Sequence, residues 1–103
     1  MNIIEDNDIS ALQDKKCYML FYFTASWCGP CQKIKPMIEA IASGADSDKL
    51  EIYLVDIDEN DVMASEFKIR SVPMFYLYKD NTLKGECSGA DISNVKDLLK
   101  TMK

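Results

Sequence analysis

The chain contains no histidine. That excludes a histidine general base, a Ser-His-Asp arrangement and a histidine metal ligand. Chain breakers are scarce, with four glycines and three prolines, which excludes collagen-like and low-complexity classes. Long apolar runs are missing as well. The longest stretch without charge, Cys17 to Gln32, has 16 residues and includes Gly29 and Pro30, whereas a membrane-spanning helix needs ~20 mostly apolar residues. Met1 to Ser10 carries Glu5, Asp6 and Asp8 in place of a basic, then apolar, secretory leader, so a cytoplasmic protein is expected. Positive charge is in deficit. Twelve Lys and Arg face 17 Asp and Glu, a formal charge of −5, so nucleic acid and anionic membranes are not expected partners.

The remaining composition is that of a globular protein. At 103 residues, one domain spanning 1–103 is expected, large enough to bury a core without staples. Eight acids lie between Ser43 and Glu66 against one base, Lys49. They read as a solvated rim, with a partner-steering surface as the sharper alternative.

Met19-Leu20-Phe21-Tyr22-Phe23 is continuously apolar and aromatic, the pattern of a strand buried on both faces. Ile34, Ile38, Ile41 and Ala42 then recur at helical spacing, with Gly44 as a stop. Pro36 falls inside that helix and should kink it. Ile52–Val55 and Met74–Tyr78 read as further buried strands, and Asp61–Phe67 as a short helix. Asp80-Asn81 suits a tight turn, since both residues tolerate positive φ, and Leu83–Ser88 is then the antiparallel partner. Asp91 can cap a last helix whose Ile92, Val95, Leu99 and Met102 share a face. A weak strand near Ile3-Ile4 and a helix near Ile9–Gln13 complete the order β-α-β-α-β-α-β-β-α. Alternation followed by a hairpin implies a mixed sheet with helices on both faces.

Of four cysteines, only Cys28 and Cys31 form a close pair, within Trp27-Cys28-Gly29-Pro30-Cys31. This segment follows a strand and opens a helix. A sulfur at a helix N-terminus faces unpaired N–H groups and the positive end of the dipole, which favours thiolate over thiol. Pro30 has a preset φ and no N–H to lose in the first turn, and Gly29 leaves room for an approaching backbone. A zinc half-site and two ordinary buried cysteines are the competing readings, but structural zinc wants four ligands, and Cys17 and Cys87 stand alone; a structural disulfide is rare in a cytosolic chain. No metal is expected. Cys-x-x-Cys in a βαβ setting reads as a dithiol redox pair.

The chain resembles the thioredoxin family. The resemblance rests on Trp27-Cys28-Gly29-Pro30-Cys31, Phe23 and Ala25, Lys35-Pro36, Val55-Asp56-Ile57-Asp58, Ile69-Arg70-Ser71-Val72-Pro73, Tyr78-Lys79 and Ser88-Gly89-Ala90. It implies a central mixed five-stranded sheet flanked by four helices in an α/β/α sandwich. It implies a protein-disulfide reductase, acting as a monomer, in which an exposed Cys28 thiolate attacks a client disulfide and a buried Cys31 resolves the mixed disulfide. Electrons would come from a separate thioredoxin reductase, with no bound cofactor, because the chain has no nucleotide fingerprint. Pro73 matches the family's cis-proline. Trp27, Gly29, Pro30, Val72, Pro73, Gly89 and Ala90 would form an apolar docking surface, with Val72 offering its backbone to an extended client. Asp58 matches an acid that accepts from the Trp27 indole. Two other readings stand beside this one: a non-catalytic docking or processivity subunit, and a client-restricted oxidant or isomerase.

Two positions depart from the family pattern. Tyr22 stands where the family has a buried Asp credited with helping deprotonate the buried thiol, and Leu54 stands where many relatives have Lys. The changes look coupled, since losing the acid alone would strand a buried cation. A Tyr22 hydroxyl could donate to a sulfur but is a poor base at neutral pH. Slower resolution by Cys31 is expected, or more reliance on water, Asp56 or Asp58. Thr24 also replaces an aromatic. Cys17 and Cys87 are expected to be passive, although Cys87 would be open to glutathionylation or dimer linkage if exposed.

Overall fold

The computed structural model describes residues 1–8 and 17–102. Its elements are β1 (Asn2–Ile4), β2 (Tyr18–Thr24), α1 (Gly29–Gly44), β3 (Leu50–Asp56), α2 (Asp61–Glu66), β4 (Met74–Lys79), β5 (Thr82–Ser88) and α3 (Ile92–Leu99). The five strands form one sheet in the order β1-β3-β2-β4-β5. β1, β3 and β2 run parallel, and β4 and β5 are antiparallel to their neighbours. Three helices lie among the described residues. The fourth expected helix, near Ile9–Gln13, lies outside them.

β2 occupies the centre, and all seven of its residues are buried. Alternation divides them between two cores. Tyr18, Leu20 and Tyr22 pack with Leu50, Ile52, Phe75 and Leu77 beneath Ile34 and Ile38 of α1 and Val95 and Leu98 of α3. Met19, Phe21 and Phe23 face the other way, against Tyr53, Val55 and Met63 of α2. Helices therefore cover both faces, giving three layers. In α3 the buried pair is Val95 and Leu98, with Leu99 only half-buried.

Local signals act where the residue types predict. Asp80 and Asn81 take φ of 53° and 60° at the β4–β5 turn, the twist a two-residue hairpin needs. The Asp91 side chain accepts from Ser93 N at 2.9 Å and caps α3. α1 runs unbroken from Gly29 to Gly44 with Pro36 inside it.

The second layer is tied to β1 by two asparagines. Asn60, fully buried, donates to Ile4 O and Asp56 O and accepts from Asn7 N at 2.8 Å. Asn7 accepts from Met63 N at 3.0 Å, a cap for α2 supplied from distant sequence.

Candidate functional site

β2 ends at Thr24, the chain turns through Ala25-Ser26-Trp27, and α1 opens at Gly29. Cys28 is the N-cap of α1, with extended φ and ψ of −89° and 107°, and its sulfur accepts from Cys31 N at 3.2 Å. Pro30 occupies the first turn. The Cys28 sulfur thus lies against the unpaired N–H groups of a 16-residue helix, the position that most favours a thiolate.

Cys28 and Cys31 are joined as a disulfide, with Cα atoms 5.3 Å apart. Cys31 is fully buried. Cys28 was expected to be exposed, but only 6% of its surface is accessible. In this oxidised form it packs with Ala25 and Cys31 beside Ile57 and Val72. Its sulfur lies 3.7 Å from the Val72 carbonyl oxygen; once reduced, the thiol can donate to that oxygen.

The Val72–Pro73 peptide bond is cis. Val72 is half-buried, and Pro73 is buried. Pro73 therefore shapes the proposed docking surface from below, contrary to the expectation that it forms part of the surface itself. Pro73 O accepts from Gly89 N at 3.0 Å, which holds the 88–90 segment beside it. Trp27, Gly29, Pro30, Gly89 and Ala90 are exposed. Trp27 is the most exposed large apolar residue among the described residues, at 67%. Its indole Nε1–H donates to the Asp58 carboxylate at 2.8 Å.

Tyr22 is fully buried and stacks on Phe75, with ring centroids 5.0 Å apart. Its hydroxyl does not reach a sulfur. It donates to the Cys31 carbonyl oxygen at 2.6 Å. Burial pushes its phenol above the usual value; the neighbouring Thr24 hydroxyl opposes this, and Glu39 adds to it. Tyr22 is thus a tether and not a base. Leu54 is its register partner on β3, so the two departures from the family pattern lie side by side. Asp56 Oδ1 accepts from Asp58 N at 2.8 Å, and the Asp58 carboxylate is taken up by Trp27. Cys17 is buried and Cys87 half-buried, neither in a disulfide. Burial, then Asp91, pushes the Cys87 thiol up, which makes it a poor nucleophile.

Two features of the site escape a reading of the sequence. Gln32 Nε2 donates to Ala25 O at 3.0 Å and pins the turn before the cysteines. The Thr24 hydroxyl is buried and makes no hydrogen bond. The available signal was a polar residue closing an otherwise apolar strand.

Comparison with known proteins agrees with this geometry. The family model described as Thioredoxin matches residues 3–103. Mitochondrial thioredoxin O1 of Arabidopsis thaliana is 37% identical over 98 residues, covering 93% of this chain and 50% of that protein. Thioredoxin of Ictalurus punctatus is 36% identical over 81 residues, covering 79% and 76%. The chain therefore spans about half the length of the mitochondrial relative and most of the fish one. The X-ray structure of Fasciola hepatica thioredoxin superposes with a TM-score of 0.89 at 28% identity over the whole of both chains. Reduced Schistosoma mansoni thioredoxin pre-protein gives 0.87 at 30%, again over both whole chains. By its sequence, its sheet order and its Cys28–Cys31 pair, the chain belongs to the thioredoxin family.

Proposed function

We propose that this protein is a thiol-disulfide oxidoreductase that reduces disulfides in client proteins. The observation that carries the reading is the Cys28 sulfur at the N-cap of α1, bonded to a buried Cys31. In the dithiol form the Cys28 thiolate attacks one sulfur of a client disulfide, and the other client sulfur leaves as a thiolate. Cys31 then loses its proton and attacks the Cys28 sulfur. The client's second thiolate departs, and the Cys28–Cys31 disulfide is formed. Two electrons have passed to the client. A thioredoxin reductase is the proposed source of their replacement, with no cofactor bound by this chain.

Trp27, Gly29, Pro30, Gly89 and Ala90 form the proposed docking face, and Val72 offers backbone groups to an extended client segment. The Trp27 indole there donates to Asp58. The protein acts as a monomer in this scheme. A cytoplasmic setting suits a pair kept reduced. The mitochondrial relatives make that organelle the alternative, which imaging of the tagged full-length protein decides.

The test is insulin-disulfide reduction by dithiothreitol with wild type, Cys28→Ser and Cys31→Ser. Turnover is expected in wild type alone, with a client adduct trapped on Cys31→Ser. Equal rates for all three would remove the reading.

A further inference from the structure

Cys31 must lose a proton before it attacks, yet none of its surface is accessible. The groups around it do not offer a base. Tyr22 is a tether with a raised phenol, and the Asp58 carboxylate is engaged by Trp27. A cleft of ≈290 Å³ lies on the other side of Ala25. It is lined by Thr24, Ala25, Ser26, Gln32, Lys35, Leu54 and Asp56. Ala25 packs against both Cys28 and Cys31 and is also a wall of the cleft. Thr24, one of the lining residues, carries the one described side-chain polar atom that is buried without a partner, Oγ1.

A buried hydroxyl without a partner is costly unless water or a transferred proton uses it. Thr24 lies at the end of β2, two residues from Tyr22 and on the same face. A hydroxyl both donates and accepts, so it can pass a proton without becoming charged. The cleft is open and roomy enough for water, and Asp56, whose Oδ1 accepts from Asp58 N and Glu59 N, is the carboxylate in its wall. The charged and titratable groups facing the route are Lys35 and Glu39 from α1 and Asp56 from β3. From β4 the uncharged Phe75 stacks on the Tyr22 ring. Lys35 lies one turn beyond Cys31 on α1 and lines the cleft.

We propose that this cleft is the proton exit for Cys31, with Thr24 as the inner relay and Asp56 as the outer acceptor. The proposal rests on the disulfide-exchange reading and deepens it. As Cys31 attacks, its proton passes through cleft water and Thr24 to Asp56 or bulk water. The Cys31 electron pair forms the new bond to the Cys28 sulfur, and the client sulfur leaves with the old one. Thr24 is a positioning residue here, acting through the relay and not on the sulfurs.

The experiment is stopped-flow reaction of the reduced full-length protein with Ellman's disulfide between pH 6 and 9. The first thionitrobenzoate released reports attack by Cys28, and the second reports attack by Cys31. A positioned proton-transfer group contributes roughly 10²–10⁴ in rate, and loss of one relay among waters is expected to cost about tenfold. Thr24→Val should slow the second phase by about that factor at pH 6–7 and converge with wild type near pH 9, where hydroxide takes the proton. Thr24→Ser should restore the wild-type profile, and Asp56→Asn should slow the second phase at low pH. The first phase should be unchanged throughout. Folding is checked by urea denaturation, and Thr24→Val should be at least as stable as wild type, since no hydrogen bond is lost. A second phase unaltered by Thr24→Val, or slowed equally at every pH, overturns the proposal. Failure of the underlying reading looks different: the first phase would survive in Cys28→Ser, or wild type would show no second phase.

Discussion

The Tyr22 hydroxyl donates to the Cys31 carbonyl oxygen at 2.6 Å and ties the central strand to the first turn of α1. The bond is buried, and a buried neutral hydrogen bond contributes about 1 kcal/mol. Tyr22→Phe keeps the ring stack on Phe75 and loses only the bond. It should lower unfolding stability by about 1 kcal/mol in urea titration and leave attack by Cys28 unchanged. No loss of stability would mean that the tether contributes nothing.

Tyr22 and Leu54 are register partners on adjacent strands. Tyr22→Asp alone places an unpaired carboxylate in the core, and Leu54→Lys alone places an unpaired cation beside the cleft. The double variant pairs them. Its destabilisation should be smaller than the sum of the singles, with a coupling of roughly 0.5–3 kcal/mol. Strict additivity would show that the two positions vary independently.

Burial raises the phenols of Tyr22, Tyr53, Tyr76 and Tyr78 above their ordinary value, with Glu51 adding to the effect at Tyr53. The folded state therefore holds these protons more tightly than the unfolded chain, where a phenol titrates near 10. Their contribution to stability is complete below about pH 10 and is lost as pH rises through the folded values. Urea midpoints should fall steeply above pH 10, and Tyr53→Phe should reduce that slope by about one proton. An unchanged slope would place Tyr53 in ordinary solvent.

Asn60 satisfies two backbone carbonyls and the Asn7 amide from a fully buried position. Asn60→Ala strands those partners and should cost at least about 2 kcal/mol by urea denaturation, while the Cys28–Cys31 chemistry is retained. A cost below about half a kcal/mol would mean that water replaces the side chain.

Two glycines should respond in opposite directions. A Cβ at Gly44 meets nothing within 4 Å, so Gly44→Ala at the end of α1 should stabilise by about 0.5–1 kcal/mol. A Cβ at Gly85 would lie 2.6 Å from Leu98 Cδ1. Gly85→Ala must therefore push α3 outward or turn that leucine, at a cost of about 1 kcal/mol. Thermal melts of the two variants should move in opposite directions.

Much of this was legible in the residues. The apolar run at Met19–Phe23 announces a central strand, because only a doubly covered strand buries consecutive side chains. Asp80-Asn81 announces its turn through tolerance of positive φ, and Asp91 its cap through a short acceptor. The Cys28–Cys31 pair is legible for the same reason: its chemistry depends on local spacing. What the sequence hides depends on distant partners. Asn7 and Asn60 meet across 53 positions, and nothing local distinguishes them from loop asparagines. By residue type the Tyr22 hydroxyl could donate to a sulfur, yet its partner is a carbonyl, which no residue identity reveals. Thr24 reads only as a residue standing in for an aromatic, because its environment, a cleft wall made from three elements, exists only once the chain has folded. The low exposure of Cys28 likewise follows from packing against Val72 and Ala25.

The central claim is that the Cys28 sulfur is held as an anion by the start of α1. It is tested most directly by titrating thiolate absorbance at 240 nm in the reduced protein, comparing wild type with Cys28→Ser. A free cysteine ionises near ~8.5. The account predicts a step at least about one unit lower, present in wild type and missing in Cys28→Ser. A first step at the free-cysteine value, or a low step that persists without Cys28, would contradict it.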